Sequence, residues 1–513
     1  MQKFDYIIVG AGTAGCLLAN RLSKDPSRRV LLIEAGGSDN YHWIHIPVGY
    51  LYCIGNPRTD WMYRTQPEPG LNGRDLIYPR GKTLGGCSSI NGMIYMRGQS
   101  RDYDAWAEEI CDDEWRWENC LPDFIRHEDH YRLDSQKKAV SPVSDGFSNT
   151  HGHGGEWRVE KQRLSWEILD SFADAMVEYG VPRIDDFNSG DNFGVSYFEV
   201  NQRNGWRWNA SKAFLRTSRH RRNLVVWTDA KVQGLCFVTQ GDGKPRCSGV
   251  RIRRKGELQT VVAAREVVLS AGSIGSTQIL QLSGIGPGQH LRELDIDVVR
   301  DAPGVGHNLQ DHLQIRTVFK VKNALTMNTL AATTLGKAKI ALEYLLRRSG
   351  PMSMAPSQLG AFSRSDASQT HPNLEYHVQP LSLEAFGEDL HDFPAFTASV
   401  CNLNPTSRGS VMINSSDIDQ PPVIAPNYLS TDEDRRVAAL SIRQVRSVVA
   451  KQPLVRYKPE ELKPGIEFDN DEALSKVAGD IGTTIFHPVG TAKMGTEDDP
   501  YAVLDSKLRV FGV

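Results

Sequence analysis

The apolar residues of this chain follow two rhythms, and the change from one to the other falls at glycine clusters. Phe4 to Val9 (FDYIIV) is a largely apolar run that predicts a buried strand, and it ends in Gly10-Ala11-Gly12-Thr13-Ala14-Gly15. A helical spacing follows from Ala14 to Leu22, and the run Arg29 to Ile33 predicts a second strand. Strand, loop, helix and strand make a βαβ unit. Farther along, Leu164 to Tyr179 reads as an amphipathic helix closed by the Gly-Val-Pro turn at 180–182. Thr334 to Arg348 reads as another helix, with basic residues near its C-terminus that suit the helix dipole. Ala338, Ile340, Leu342, Leu345 and Leu346 carry its apolar spacing; core packing is the expected use and a membrane-facing helix the alternative. Glu266 to Leu269, Asn373 to Pro380, Ala395 to Asn404 and the final Leu508 to Val513 read as strands. On the strand at 373–380, Glu375, His377 and Gln379 share one face and Tyr376 and Val378 the other; the pattern does not say which face lines a cavity.

At 513 residues the chain exceeds one typical core and predicts two or three domains able to enclose a large ligand. Hydrophobic residues make up 40% and charged residues 24%, with 45 glycines and 26 prolines spread throughout, which describes a globular α/β or α+β protein. The formal net charge of −3, with both signs interspersed, gives no footprint for nucleic acid or an anionic membrane. One basic run departs from this, Arg216, Arg219, His220, Arg221 and Arg222; it reads first as a solvated turn before a strand and second as a phosphate or anion contact. The cysteines Cys16, Cys53, Cys87, Cys111, Cys120, Cys236, Cys247 and Cys401 form no C-x-x-C pair, which argues against zinc, iron–sulfur clusters and disulfides and fits a reducing compartment. No apolar run reaches the ~18 residues of a membrane span, and a strand begins within four residues of the start. The cytoplasm is therefore the expected location, with peripheral membrane association as the alternative. The sequence holds no internal repeat and no low-complexity segment.

Each glycine of the first loop has a physical task. Gly10 permits the tight turn, Gly12 lets a pyrophosphate approach the backbone, and Gly15 lets the helix pack closely on the strand. The helix N-terminus then faces negative charge. Glu34 closes the second strand, where its carboxylate can accept from both hydroxyls of an adenosine ribose. Gly10, Gly12, Thr13, Ala14, Gly15, Glu34 and Ala35 are thus the candidate contacts of a dinucleotide, NAD or FAD. A second cluster, YPRGKTLGGCSSINGMIYMRG from Tyr78 to Gly98, combines Gly81, Gly85 and Gly86 with Ser88, Ser89 and Asn91. Its small residues suit main chain laid against a flat ring or a phosphate, and equally a surface loop between strands.

From these motifs the chain resembles the glucose-methanol-choline (GMC) oxidoreductase family. The resemblance rests on the βαβ unit, RGKTLGGCSSINGM, SAGSIGSTQILQLSGIG (270–286), PGVGHNLQDH (303–312) and HPVGTAKMG (487–495), in that order along nearly the whole chain. Residues from about 315 to 480 match loosely. The resemblance implies FAD rather than NAD. Arg80, Gly81, Gly86, Ser88, Asn91, Gly92, Met93 and Ile94 would line the pyrophosphate and isoalloxazine, Val232 the adenine, and Ala271 and Gly272 the diphosphate. Ile90 stands where some members carry a histidine linked covalently to the flavin, so non-covalent FAD is expected. Thr277 stands where proline or serine is usual.

The resemblance also places His487 as the catalytic base. Hydride leaves an alcohol carbon readily only as the hydroxyl proton departs, and a neutral imidazole within reach of that proton supplies typically ~10²- to 10⁴-fold. No metal is expected: His151 and His153 in HGHGGEW form a pair without a third ligand, and a structural loop is the favoured reading. A second catalytic histidine or asparagine is implied beyond Val513, and its absence predicts weak FAD retention and poor turnover. The implied architecture is α/β with α+β character. A Rossmann-like FAD-binding domain (1–160, 215–312 and 480–513) is interleaved with a substrate domain (161–214 and 313–479) on an antiparallel or mixed sheet with helices. The expected activity is FAD-dependent oxidation of a small-molecule alcohol, choline-type or aliphatic, with the electron acceptor undetermined between oxygen, quinone or another. A flavin-containing lyase or decarboxylase is the alternative on the same scaffold, and a flavin-free binding protein a third reading.

Overall fold

The structure is a computed structural model, which describes residues 2–137, 146–241 and 243–513. Two sheets organise it. The first has six strands in the order Ala230–Thr239, Pro245–Arg254, Glu257–Leu269, Gln2–Val9, Val30–Ile33 and Leu224–Trp227. Its last four strands run parallel, and its first three form an antiparallel meander. Val30–Ile33 is buried at every position because elements cover both faces, which is why it reads as a continuous apolar run rather than an alternating one. The helix Thr13–Leu22 connects Gln2–Val9 to Val30–Ile33 as the βαβ pattern requires.

The second sheet has seven strands, all its pairings antiparallel. Its main path runs Glu460–Lys463, Leu313–Lys320, Ala395–Asn402, Leu374–Gln379, Leu359–Ser363 and Gly194–Tyr197, and Gly482–Thr484 also pairs with Leu313–Lys320. Helices Glu167–Tyr179 and Asp432–Val449 cover one face: Phe172, Met176, Val437 and Val448 share a core with Leu374, Tyr376, Val378, Phe396 and Val400. The opposite face is polar, with Glu375 paired with Cys401 and His377 with Ser399. Strand alternation thus separates core residues from residues available to chemistry. The expected α/β plus α+β architecture is what the chain adopts.

Three elements differ from expectation. The helix Thr334–Arg347 forms, but its stripe is not core: Tyr344 alone is buried, while Leu335, Leu342, Leu345 and Leu346 are 55–73% exposed. Periodicity fixes which residues share a face and says nothing about which way the face turns. The segment Leu508 to Val513 is a turn rather than a strand; Asp505 accepts from the backbone N–H groups of Lys507 and Arg509 and curls it back, leaving one bridge between Leu504 and Val510. The cluster from Tyr78 to Gly98 is a largely buried, irregular segment rather than a surface loop, with Tyr78, Leu84 and Ser89 inaccessible to solvent.

Candidate active site

The first glycine loop is sterically constrained at two of its three glycines. A Cβ on Gly15 would lie 1.9 Å from the Gly10 carbonyl oxygen, and one on Gly10 2.6 Å from that of Ser270, so both must be glycine for helix and strands to close. Above Gly12 the space is open, with no atom within 3.9 Å of a Cβ placed there. Helix Thr13–Leu22 has no side-chain cap and no acidic residue in its first turn, and Thr13 and Ala14 are exposed. Its first N–H groups are left without side-chain caps, an arrangement that suits an anion. Helix Gly272–Leu282, also uncapped, starts from Ala271 and Gly272 directly after the neighbouring parallel strand.

The second cluster folds onto the first loop. Gly85 donates its N–H to the Ala11 carbonyl at 2.8 Å, and a Cβ on Gly86 would sit 2.7 Å from Gly12 Cα. Gly81 packs against Gly86 as closely. Glu34 accepts at 2.9 Å from Ala11 N–H and at 2.9 Å from Gly36 N–H. Burial pushes its carboxyl up to about 7, against the lowering effect of those two N–H groups. The glycine cradle, the uncapped helix N-terminus and this acid at the strand end lie side by side. The remaining candidates spread along that wall. Asn91 Oδ1 accepts from Met93 N–H (3.1 Å) and Arg207 Nη1 (2.8 Å), Gly92 lies against Pro356, and Ile94 bridges Val200. Ser88 is occupied by Gly85 and Ala210, Val232 is buried in the sheet, and Ala35 follows Glu34. Arg80 reaches elsewhere, donating at 2.5 Å to the Phe486 carbonyl next to His487.

His487 sits in a loop held at both ends. Ser273, from the second uncapped helix, donates to the Pro488 carbonyl at 2.6 Å, and Gln310 and Val489 exchange two 2.9 Å backbone bonds. Asp311 is the hub. Its buried carboxylate accepts from the N–H of His487 (2.7 Å) and of His312 (3.0 Å), and from the hydroxyls of Thr484 (2.6 Å), Tyr78 (3.0 Å) and Tyr428. Burial, and then the adjoining carboxylate, push both phenols well above their usual range, so both remain donors.

The two imidazoles meet edge to face, Nδ1 to Nδ1 at 3.2 Å, and His312 Nε2 lies 3.2 Å from the Leu403 carbonyl oxygen. A carbonyl only accepts, so His312 Nε2 carries its proton and its Nδ1 presents a lone pair. His487 Nδ1 must then donate, which leaves His487 Nε2 bare; it has no partner among the described residues. The ring is accessible to solvent, yet protein surrounds it closely enough that burial, then the facing His312, push its pKa down to about 4. Glu375 and Cys401 stand against His312 across the polar sheet face. Burial pushes the Glu375 carboxyl up, but His377, 3.2 Å away, together with His312 and His487 outweighs it and keeps the group below the usual carboxylate range.

Asp311, His312 and Arg207 had no role assigned from sequence. Asp311 and His312 lie inside the motif at 303–312, and an acid beside a histidine directly before a strand was the available signal. His151 and His153 fall in two separate clusters. Both ring nitrogens of His151 bond carboxylates, Nδ1 to Glu128 and Nε2 to Asp186, whereas His153 lies near Asp129 and Asp134.

Comparison with known proteins gives one family. Residues 4–314 and 405–513 match the N- and C-terminal profiles described as GMC oxidoreductase. An oxygen-dependent choline dehydrogenase of Photobacterium profundum is 36% identical over 511 residues, covering 99% of this chain and 87% of that protein. An alcohol dehydrogenase [acceptor] of Pseudomonas putida is 36% identical over 513 residues, covering 99% and 89%. The solved structure of pyridoxine 4-oxidase from Mesorbium loti is similar at 30% identity with a TM-score of 0.86, covering 99% of this chain and 92% of that one.

Proposed function

The chain belongs to the GMC oxidoreductase family, an FAD-dependent enzyme family acting on CH–OH donors, and on that premise we propose that it oxidises a small-molecule alcohol, choline-type or aliphatic, with His487 as general base. The proton inventory of the histidine pair carries this reading: a neutral ring with a bare Nε2 is what removal of a hydroxyl proton requires. Bound FAD supplies the hydride acceptor, and the residues that would hold it are those of the two glycine clusters together with Glu34, Ala271 and Gly272.

As His487 takes the hydroxyl proton it becomes an imidazolium, keeping its Nδ1–H on His312. The Glu375 and Asp311 carboxylates favour that charge. Asp311 acts as a positioning residue, since it holds the main chain of both histidines and touches neither ring. Non-covalent FAD belongs to the same proposal: Ile90, buried with Ile44 and Cys53, offers no nucleophile. So does the interleaved division of cofactor and substrate portions, supported by the separation of a mixed sheet from an antiparallel one. The relatives above are dehydrogenases and an oxidase by name, and none speaks for a lyase.

Anaerobic bleaching of the flavin by a panel of alcohols tests the proposal. Bleaching by choline or an aliphatic alcohol is expected, with His487→Asn slowing it by ~10²- to 10⁴-fold while FAD stays bound. Unchanged bleaching in that variant would place the base elsewhere, and no bleaching by any alcohol would end the reading.

A further inference from the structure

The polar face of the antiparallel sheet carries a cation that the proton chemistry leaves unused. Arg316, on strand Leu313–Lys320, lies opposite Ser399, and Ser399 lies opposite His377, so the three share the face that bears Glu375 and Cys401. They form the row next to Gln314, Cys401 and Glu375, about 7 Å farther along the strand from His312. The Arg316 side chain has no hydrogen bond or ion pair among the described residues. Protein surrounds it closely enough that burial lowers its pKa, yet it remains partly accessible to solvent. The same combination holds at His487 and is what a group lining an internal crevice shows.

Neighbouring carboxylates are engaged elsewhere. Glu384 pairs with Lys463 at 2.5 Å and lies 3.5 Å from His391, and Glu375, one row away, sits 3.2 Å from His377. Tyr50 is the other polar group whose charge state Arg316 influences. Burial pushes its hydroxyl well above the usual range, against the lowering charges of Arg207 and Arg316, so it stays a donor. That hydroxyl also has no hydrogen bond among the described residues. The Tyr50 ring lies 6.2 Å from that of Phe386, which lies 6.5 Å from that of Phe486, the residue before His487. Two ring contacts therefore join the Tyr50 side of the crevice to the His487 loop. An interior cation without a partner is costly, and a guanidinium and a phenol that both lack acceptors make a receptor for an anion.

We propose that Arg316, with Tyr50, binds a carboxylate of the alcohol that His487 deprotonates, so that the substrate is an aliphatic hydroxycarboxylate with its two ends several bonds apart. The inference rests on His487 as the base. The glycine loop proposed for the FAD diphosphate follows Gln2–Val9 in the other sheet, so this anion belongs to the substrate. A planar guanidinium meets a carboxylate through parallel N–H bonds, and the Tyr50 hydroxyl donates one more. Arg316 stands four residues beyond His312 on one strand, about 13 Å away along the backbone, which sets a methylene chain between hydroxyl and carboxylate. Phe386, between Tyr50 and Phe486, offers that chain apolar surface. A choline-type ammonium would face the Arg316 charge, so of the two substrate types the aliphatic one is selected.

The test compares two substrates of one length, terminally hydroxylated hexanoate and hexanol, in anaerobic flavin reduction by the FAD-loaded protein. Calorimetric titration with hexanoate, which has no hydroxyl to oxidise, accompanies it. The parent chain should prefer the hydroxy acid by about tenfold or more, through the concentration needed for half the limiting rate rather than the limiting rate itself, and should bind hexanoate. Arg316→Gln should erase the preference and weaken hexanoate by a similar factor. Tyr50→Phe should lose a smaller part of both, and Arg316→Lys should retain part of both. Flavin absorbance unchanged in the variants shows that they are folded. Equal reduction by the two substrates, or hexanoate binding that Arg316→Gln leaves untouched, overturns the inference and leaves the base in place. Failure of both substrates to reduce the flavin sinks the reading of His487 instead, and the hexanoate titration still decides the role of Arg316.

Discussion

The glycine cradle and the histidine centre are specified in different ways. The glycine cradle is compact in sequence: Gly10, Gly12 and Gly15 lie within six residues, with backbone crowding Gly10 and Gly15 and open space over Gly12. The histidine centre is assembled from afar, since the Asp311 carboxylate gathers donors from Tyr78, His312, Tyr428, Thr484 and His487. A cradle made by the absence of side chains tolerates no addition, whereas a centre made by one acceptor fails when that acceptor changes. Mutations should therefore separate cofactor affinity from chemistry.

The largest expected effect is on the cradle. Gly12→Val fills the open space over the helix N-terminus without striking the fold, so the protein should remain folded while FAD affinity drops by roughly 10- to 100-fold, the equivalent of an overpacking cost of ~1–3 kcal/mol. Equilibrium dialysis of FAD checks this, and undiminished affinity would break the assignment of the cradle. Next comes Asp311→Asn, which replaces an acceptor oxygen by an amide that cannot accept and strands at least one buried donor at a cost of ~1–3 kcal/mol. Flavin reduction should slow about tenfold or more with FAD affinity unchanged, and a parallel loss of both would erase the distinction between cradle and centre. His312→Ala frees the His487 tautomer without removing the base; a few-fold slowing is expected in stopped-flow, with an effect as large as that of His487→Asn counting against the proton inventory.

The smallest effect is on stability against pH. The folded protein holds His487 near pKa 4 while the unfolded chain takes its proton near the ordinary value of about 6.5. Stability is thus fully present above that value and falls as pH drops from about 6.5 toward 4, where protons bind the unfolded state first. The thermal midpoint of His487→Asn should show a shallower decline over this window than that of the parent chain, and identical slopes would argue against the depressed value.

Much of this was legible before any coordinates. The βαβ unit, the glycines and Glu34 act over short distances, so spacing alone implied their geometry. His487 was legible only through its motif, because its partners come from the strand entry at Asp311 and His312 and from Tyr78, over four hundred residues earlier in the chain. Periodicity correctly gave the helix Thr334–Arg347 and misjudged its orientation, since an amphipathic stripe looks the same facing a core or facing outward. The run at Leu508 failed for a related reason: alternation predicts a strand, but a single Asp505 capturing two N–H groups turns the chain. The faces of Leu374–Gln379 were separable by alternation, and only packing against Phe172 and Val448 decided that Glu375 and His377 look toward the histidines.

Nitrogen-15 NMR of histidine-labelled protein reads the proton count on the His487 ring directly. At neutral pH a His487 resonance pair with a protonated Nδ1 and a pyridine-like, unprotonated Nε2 is expected. An Nε2–H tautomer, or an imidazolium at that pH, would contradict it.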